Sequence, residues 1–288
     1  MQSIKSVKIA LPKGRMQEGV FKLLSDAGMP VHGDDRDYRP SLALDGLEAK
    51  ILKPRNIIEM LHAGTRDIGF AGSDWVEELG LELVELLDTG LDPVRLVAAA
   101  PTTILVDGWL PPGRLLVASE YERITRKWIA AKGLDAVFVR SYGATEVFPP
   151  DDADCVVDNT ATGSTLRANG LSIIDEVGRS TTKLYANPES MKDPAKRETA
   201  EAMVLLLQSV LNARGRVMLE INVPADRLDA VVEILPCMRE PTISQLMENA
   251  GYAVKVAAPK ASLAKLIPEI RKRGGTDIIV TEPTRIVP

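Results

Sequence analysis

An acid followed by hydroxyl residues around a glycine can hold an anion. The segment Asp158-Asn159-Thr160-Ala161-Thr162-Gly163-Ser164-Thr165 has that composition. Cys155, Val156 and Val157 in front of it read as a strand, so Asp158 lies at the strand's carboxyl end. Thr160, Thr162, Ser164 and Thr165 supply hydroxyl donors, and Gly163 permits close backbone approach or a positive φ. Leu166 to Asn169 read as the first turn of a helix, whose unpaired N–H groups favour phosphate. The acid in front can bond ribose hydroxyls. A Thr-capped turn without any ligand fits the same residues.

A second candidate follows the first apolar run. Lys13, Gly14 and Arg15 stand just beyond it. Lysine as a point charge and arginine as a fork suit a polyphosphate, although a solvated basic turn has the same composition. Lys53 and Arg55 occupy the analogous place after another strand. Several basic strand-to-helix loops in one α/β unit favour an anion cleft more than any single one does. Glu146, Asp154 and Asp158 are the acids near the hydroxyl loop, and Asp154 equally suits a solvated turn. The only histidines are His32 and His62, and His62 is expected on a helix surface. No Ser–His–Asp spacing, zinc-type cluster, Walker A loop or G-x-G-x-x-G occurs. Phosphate chemistry draws on Mg²⁺ held largely by substrate oxygens, so few protein ligands are required.

These loops need strands and helices to position them, and the chain alternates the two. Val7–Pro12, Ala49–Pro54 and Asp67–Gly72 read as strands. The helical segments are Met16–Gly28, Asn56–Gly64 and the stretch from Ser73. This βαβα order implies a parallel sheet between helices. Val94–Pro101 is a strand that crosses to a second unit, built from Arg114–Ser119, helix Tyr121–Gly133 and Ala136–Ser141. Ser172–Pro188 returns strand-like and leads to a long helix. The tail reads β-α-β-β-α-β, a ferredoxin-like module. Pro268 sits inside its second helix and predicts a kink or a late start there. The expected division is lobe I at 1–97 with 176–212 returning to it, lobe II at 98–175, and a tail domain at 213–288.

The bulk numbers set limits. The chain has 288 residues, 45% hydrophobic and 26% charged, an ordinary globular balance. A net charge of −5 gives no general electrostatic case for nucleic acid. Cys155 and Cys237 read as buried free thiols. No run approaches the ~20 apolar residues of a membrane span, and the N-terminus lacks a signal-peptide core. A cytoplasmic location is the expectation.

The segments ALPKGR, ADCVVDNTATGSTLRANGL and LPCMREPTISQL, in that order, resemble the ATP phosphoribosyltransferase family in its long form. The likeness runs over nearly the whole chain. It implies an α/β fold: two catalytic lobes like the type II periplasmic-binding-protein fold, then a ferredoxin-like (ACT-like) βαββαβ domain. It implies that ATP and phosphoribosyl pyrophosphate give N1-(5-phosphoribosyl)-ATP and pyrophosphate, with Mg²⁺, as the first step of histidine biosynthesis. Residues Asp158 to Thr165 are then the phosphoribosyl loop, with Asp158 on the ribose hydroxyls. Lys13 and Arg15 face polyphosphate, and Arg55, Asp74 and Glu146 are further cleft candidates.

The resemblance also implies a histidine pocket between subunits, lined by Asn222, Met238, Thr242 and Asp277, and assembly as dimers and hexamers. Asn222 stands where some relatives carry an acid, and a neutral amide binds an amino group less strongly. Two other readings compete: a cytosolic two-lobed ligand sensor without turnover, and a phosphoribosyltransferase that uses a different nucleophile.

Overall fold

The computed structural model describes residues 6–33, 37–44, 46–236, 238 and 240–287. They pack as two compact units, one of the described residues up to 22 and from 29 to 201, the other of those from 23 to 28 and from 202 onward.

The first unit opens with β1 (Val7–Pro12), which is buried at every position but one. Helix α1 (Arg15–Asp26) begins in it. A short pair, β2 (Val31–His32) and β3 (Ser41–Leu42), leads to β4 (Leu47–Leu52). Helix α2 (Pro54–His62) starts on Pro54, where the missing N–H costs nothing. It buries Ile57, Ile58 and Leu61 against Ala10, Ala71 and Tyr185. Truncating any of these three to alanine costs about 2–5 kcal/mol. Strand β5 (Ile68–Gly72) and helix α3 (Ser73–Leu79) complete this lobe, and Gly80 caps α3 in the left-handed region.

Strand β6 (Val84–Pro101) is 18 residues long and reaches into the second lobe. There follow β7 (Leu115–Ser119), α4 (Glu122–Lys132), β8 (Ala136–Arg140), β9 (Cys155–Thr160) and α5 (Ser164–Ala168). Strand β10 (Leu171–Ala186) then runs back along β6. The β6 residues Ala98 and Ala100 feed one apolar cluster, while Val97 and Ala99 feed the other. Both faces of this part of the sheet are therefore covered.

The sheet is one eight-stranded mixed sheet, in the order β4-β1-β5-β10-β6-β9-β7-β8. The parallel expectation holds for β1 with β4 and β5, and for β7 with β8 and β9. It fails at the two long strands. Strand β10 runs antiparallel to β5 and β6, and β6 antiparallel to β9. These two strands are the crossovers, running in opposite directions between the lobes, and that forces their antiparallel pairing. Cys155 is buried, and burial pushes its thiol up to about 12. Cys237 lies outside the described residues. No helix among the described residues is long and apolar enough to cross a membrane.

Helix α6 (Pro194–Arg214) enters the second unit. That unit holds β11 (Arg216–Val223), α7 (Leu228–Val232), β12 (Thr242–Gln245), β13 (Tyr252–Pro259), α8 (Leu263–Lys272) and β14 (Thr276–Thr281). The order β12-β13-β11-β14, antiparallel throughout, is the ferredoxin-like arrangement. Alternate β11 residues Val217, Leu219, Ile221 and Val223 pack under Val231 of α7 and Leu266 and Ile270 of α8. Helix α8 begins five residues before Pro268, so the late start expected there does not occur. The apolar face carried by Leu266 and Ile270 holds the helix on the sheet despite the lost amide.

Candidate active site

Strand ends of both lobes converge on a cleft within the first unit. One cavity of about 170 Å³ is lined by Lys13, Arg15, Asp74, Tyr121, Asn159 and the hydroxyl run Ser180 to Thr182, among others. A second, of about 270 Å³, is lined by Arg15, Glu146 and loop residues from Asp158 to Leu166. Arg15 and Asn159 line both cavities. A third, of about 280 Å³, holds Lys53, Arg55, Trp75, Glu120 and Arg140.

The hydroxyl loop is built by its own side chains. Thr160 Oγ1 accepts the Gly163 amide at 2.8 Å. Thr162 Oγ1 donates to Ser164 Oγ at 3.0 Å, and Arg167 Nη1 donates to the Thr162 carbonyl at 3.0 Å. Gly163 adopts φ +73°, and an added Cβ would stand 3.0 Å from Arg167 Nη1. Gly163→Ala is therefore expected to lower stability by about 1–2 kcal/mol, the cost of a left-handed L-residue. Denaturant midpoints check this, and an unchanged midpoint would contradict the loop geometry. The helix after the loop, α5, has only 5 residues and starts at Ser164, two before the sequence reading. So short a helix has little dipole, and the loop's own hydroxyls and amides remain as the donors toward an anion.

Asp158 lies inside β9, two residues before its end at Thr160 and not at the strand's end as expected, and its Oδ1 accepts the Asn159 amide at 2.7 Å. Burial first, then the neighbouring charges of Glu146 and Glu120, push its carboxyl up to about 6. Asp74 is buried at the start of α3. Its Oδ1 accepts from Ser180 Oγ and its Oδ2 from the Tyr121 hydroxyl, each at 2.8 Å. The Asn159 Nδ2 donates to the same hydroxyl at 2.8 Å. A chain of hydrogen bonds thus runs from β10 through the first lobe to the hydroxyl-rich loop of the second.

The remaining candidates divide. Lys13 Nζ donates to Tyr38 Oη at 2.6 Å and sits 4.5 Å from its ring centroid, which lowers the tyrosine's pKa. Arg55 pairs with Glu59 at 3.1 Å and lies 5.8 Å over Trp75. Asp154 does not reach the cleft. Its Oδ2 accepts the Leu116 amide at 2.7 Å, at the opposite end of β9 from the loop. His62 is exposed on α2. In the second unit, Asn222 Nδ2 donates to Asp277 Oδ2 at 3.1 Å, so these two meet. Thr242 is exposed on β12, which β13 separates from β11. At roughly 5 Å per strand, Thr242 is not brought to Asn222 within one chain. Met238 is also exposed.

Sequence reasoning missed Tyr121, Trp75 and the run Ser180-Thr181-Thr182. Three consecutive hydroxyl residues in a returning strand were a readable signal. Tyr121 had none, because its partner Asp74 is 47 residues away. Among the described residues no three His, Cys, Asp or Glu converge as a metal cage.

Fold and site together define a two-lobed α/β protein whose cleft is lined by basic residues and a hydroxyl-rich loop. A family model described as ATP phosphoribosyltransferase (HisG) matches residues 53–209, and one described as HisG, C-terminal domain, matches 213–284. An ATP phosphoribosyltransferase of Pelotomaculum thermopropionicum is 39% identical, over 98% of this chain and 99% of the relative. One of Chlorobium phaeovibrioides is 37% identical, over 98% and 97%. A solved structure of the ATP phosphoribosyl transferase (HisG:HisZ) complex from Thermotoga maritima superposes with a TM-score of 0.63 at 28% identity, over 72% of this chain and 98% of that chain. The chain belongs to the ATP phosphoribosyltransferase family, in the long form that carries the C-terminal domain.

Proposed function

We propose that the chain joins ATP to phosphoribosyl pyrophosphate, giving N1-(5-phosphoribosyl)-ATP and pyrophosphate, the first step of histidine biosynthesis. The observation that carries the residue assignment is the lining shared by the two cavities, with Arg15 at their junction. The loop Asp158–Thr165 holds the 5-phosphate, and the Asp158 carboxylate faces the ribose hydroxyls. Lys13 and Arg15 hold the departing pyrophosphate or the ATP phosphates, with Arg55 in the adjoining cavity.

The adenine N1 lone pair forms the bond to ribose C1 while the C1–O bond breaks and its electrons leave with pyrophosphate. N1 is already a nucleophile, so no strong general base is needed, and both histidines are exposed and outside the cleft. Alignment of two substrates and stabilisation of the leaving charge account for the rate. Besides burial, Glu146 and Glu120 lie close enough to raise Asp158, and three acids together suit a divalent cation carried on substrate oxygens. Mg²⁺ bound in that way neutralises pyrophosphate charge.

Lobes at 1–97 with 176–212 and at 98–175, and a regulatory domain at 213–288, are the working division. Histidine binds the regulatory domain at Asn222 and Asp277, with Thr242 from the edge strand and Met238 from the segment before it in a second subunit, in a dimeric or hexameric cytoplasmic enzyme. The acid missing at position 222 is supplied by Asp277, which Asn222 contacts directly. One assay series tests the reading: phosphoribosyl pyrophosphate consumption with ATP or with free nucleobases as acceptor, with and without histidine. ATP alone is expected to react, and millimolar histidine to suppress it, less so by about tenfold in Asp277→Ala. Reaction with a free base instead of ATP would replace the acceptor. A histidine isotherm showing no binding at millimolar concentration would remove the regulatory site.

A further inference from the structure

Asn159 belongs to the phosphate loop by its main chain, but its side chain faces elsewhere. The Tyr121 hydroxyl carries one proton and gives it to Asp74 Oδ2 at 2.8 Å. Burial, and then the Asp74 charge, raise the Tyr121 pKa far above the ordinary range, so that proton stays on the hydroxyl. The Asn159 group 2.8 Å from the same oxygen must therefore be the NH₂. With Ser180 on the other Asp74 oxygen, the direction of every hydrogen bond in the chain is set. The carboxamide cannot flip without losing a bond, and its Oδ1 is turned away from Tyr121.

Among the described residues no donor reaches that Oδ1. Thr125 Oγ1 is the one buried side-chain polar atom without a partner among the described residues, so the Asn159 oxygen is open to the space it lines. That space is the junction of the two cavities, shared with Arg15. A fixed, unpaired acceptor is thus presented where nucleophile and electrophile must meet.

We propose that Asn159 is a specificity residue for the purine, its Oδ1 accepting a hydrogen bond from the exocyclic 6-amino group of adenine. This rests on the reading of the function given above. The 6-amino group is the ring neighbour of N1, so a group at the junction reaches both. As the N1–C1 bond forms, the N1 lone pair is consumed and the ring gains positive charge. The 6-amino group shares that charge and becomes a stronger donor, so the carbonyl stabilises the transition state more than the ground state. Tyr121 is the positioning residue. It holds the carboxamide and couples it to the Asp74 carboxylate.

The test is a binding cycle by calorimetry on the full chain. ATP and purine ribonucleoside triphosphate, which lacks only the 6-amino group, are titrated into wild type and Asn159→Ala. The expected result is about a five- to tenfold weakening of ATP in Asn159→Ala, the worth of one hydrogen bond, with the analogue changed less than twofold. Tyr121→Phe keeps the ring against Trp75, 4.8 Å between centroids, and frees the carboxamide to flip. It is expected to lose part of the same discrimination while the KM for phosphoribosyl pyrophosphate stays within about threefold of wild type. Equal weakening of both nucleotides in Asn159→Ala would overturn the proposal. Binding is read whether or not product forms, so a failure of turnover in wild type would count against the function and not against this role.

Discussion

Arg15→Ala is expected to lower kcat/KM by about two to three orders of magnitude with almost no change in stability. Arg15 is the first residue of α1 and exposed, and among the described residues its side chain has no ion-pair or hydrogen-bond partner. Exposed changes of that kind shift stability by about 0.5 kcal/mol or less. In the cleft the same side chain is the cation common to both cavities. Removing one donor aimed at developing negative charge typically costs about 10²–10³ in rate. Arg15→Lys keeps the charge but loses the planar fork, and is expected to fall between, near a tenfold loss. Steady-state kinetics in both substrates, with thermal melts alongside, check this. Full activity in Arg15→Ala would remove the junction from the mechanism.

Asp158→Asn is expected to do two opposite things, to abolish most activity and to stabilise the fold at alkaline pH. The folded carboxyl titrates at about 6, against about 3.9 for an unperturbed aspartate. A raised acid pKa means the folded chain holds its proton more tightly than the unfolded chain does. The stability this gives is fully present below pH ~4 and is lost as the pH rises through 6. Two units correspond to about 3 kcal/mol. An amide at 158 keeps an oxygen to accept from the Asn159 amide and carries no charge beside Glu146 and Glu120. At pH 8 the variant is expected to be about 1–3 kcal/mol more stable than wild type, with the difference vanishing near pH 4. Turnover is expected to drop about a hundredfold or more, since the ionised acid is the group proposed to bind the ribose hydroxyls, next to the carbon that becomes cationic. Wild-type kcat/KM should show an acidic limb near pH 6. Denaturant melts at pH 4 and 8 decide the stability half, and equal stabilities at pH 8 would contradict the electrostatic origin of the raised pKa.

Much of this architecture was legible because local signals agreed. The run Val7 to Pro12 and the helical segment that ends at Gly133 each have one good solution. Strand β6 was legible only in its second half. Its first half carries Asp88, Gly90 and Asp92, the last at φ +48°, and is extended because β10 pairs with it through several irregularities in register. The hydroxyl loop could be read from its composition, and Lys13 and Arg15 from their place after β1. The bridge from Ser180 through Asp74 and Tyr121 to Asn159 could not. Each of its links joins residues 38 or more positions apart, and nothing in the neighbourhood of Tyr121 marks it as more than a helix start. Asp154 misled for the converse reason. It is near the loop in sequence, but β9 carries it to the other end of the sheet.

The central claim is that this cleft displaces pyrophosphate from a ribose with the N1 of ATP. The most direct measurement mixes the purified chain with ATP, phosphoribosyl pyrophosphate, Mg²⁺ and pyrophosphatase, and follows phosphoribosyl-ATP by its ultraviolet absorbance. The expected result is a steady rise in product, matched by two phosphates for each product once the pyrophosphatase has split the leaving group, and lost in Arg15→Ala. Well-folded protein that binds both substrates and yields neither product nor phosphate would contradict it.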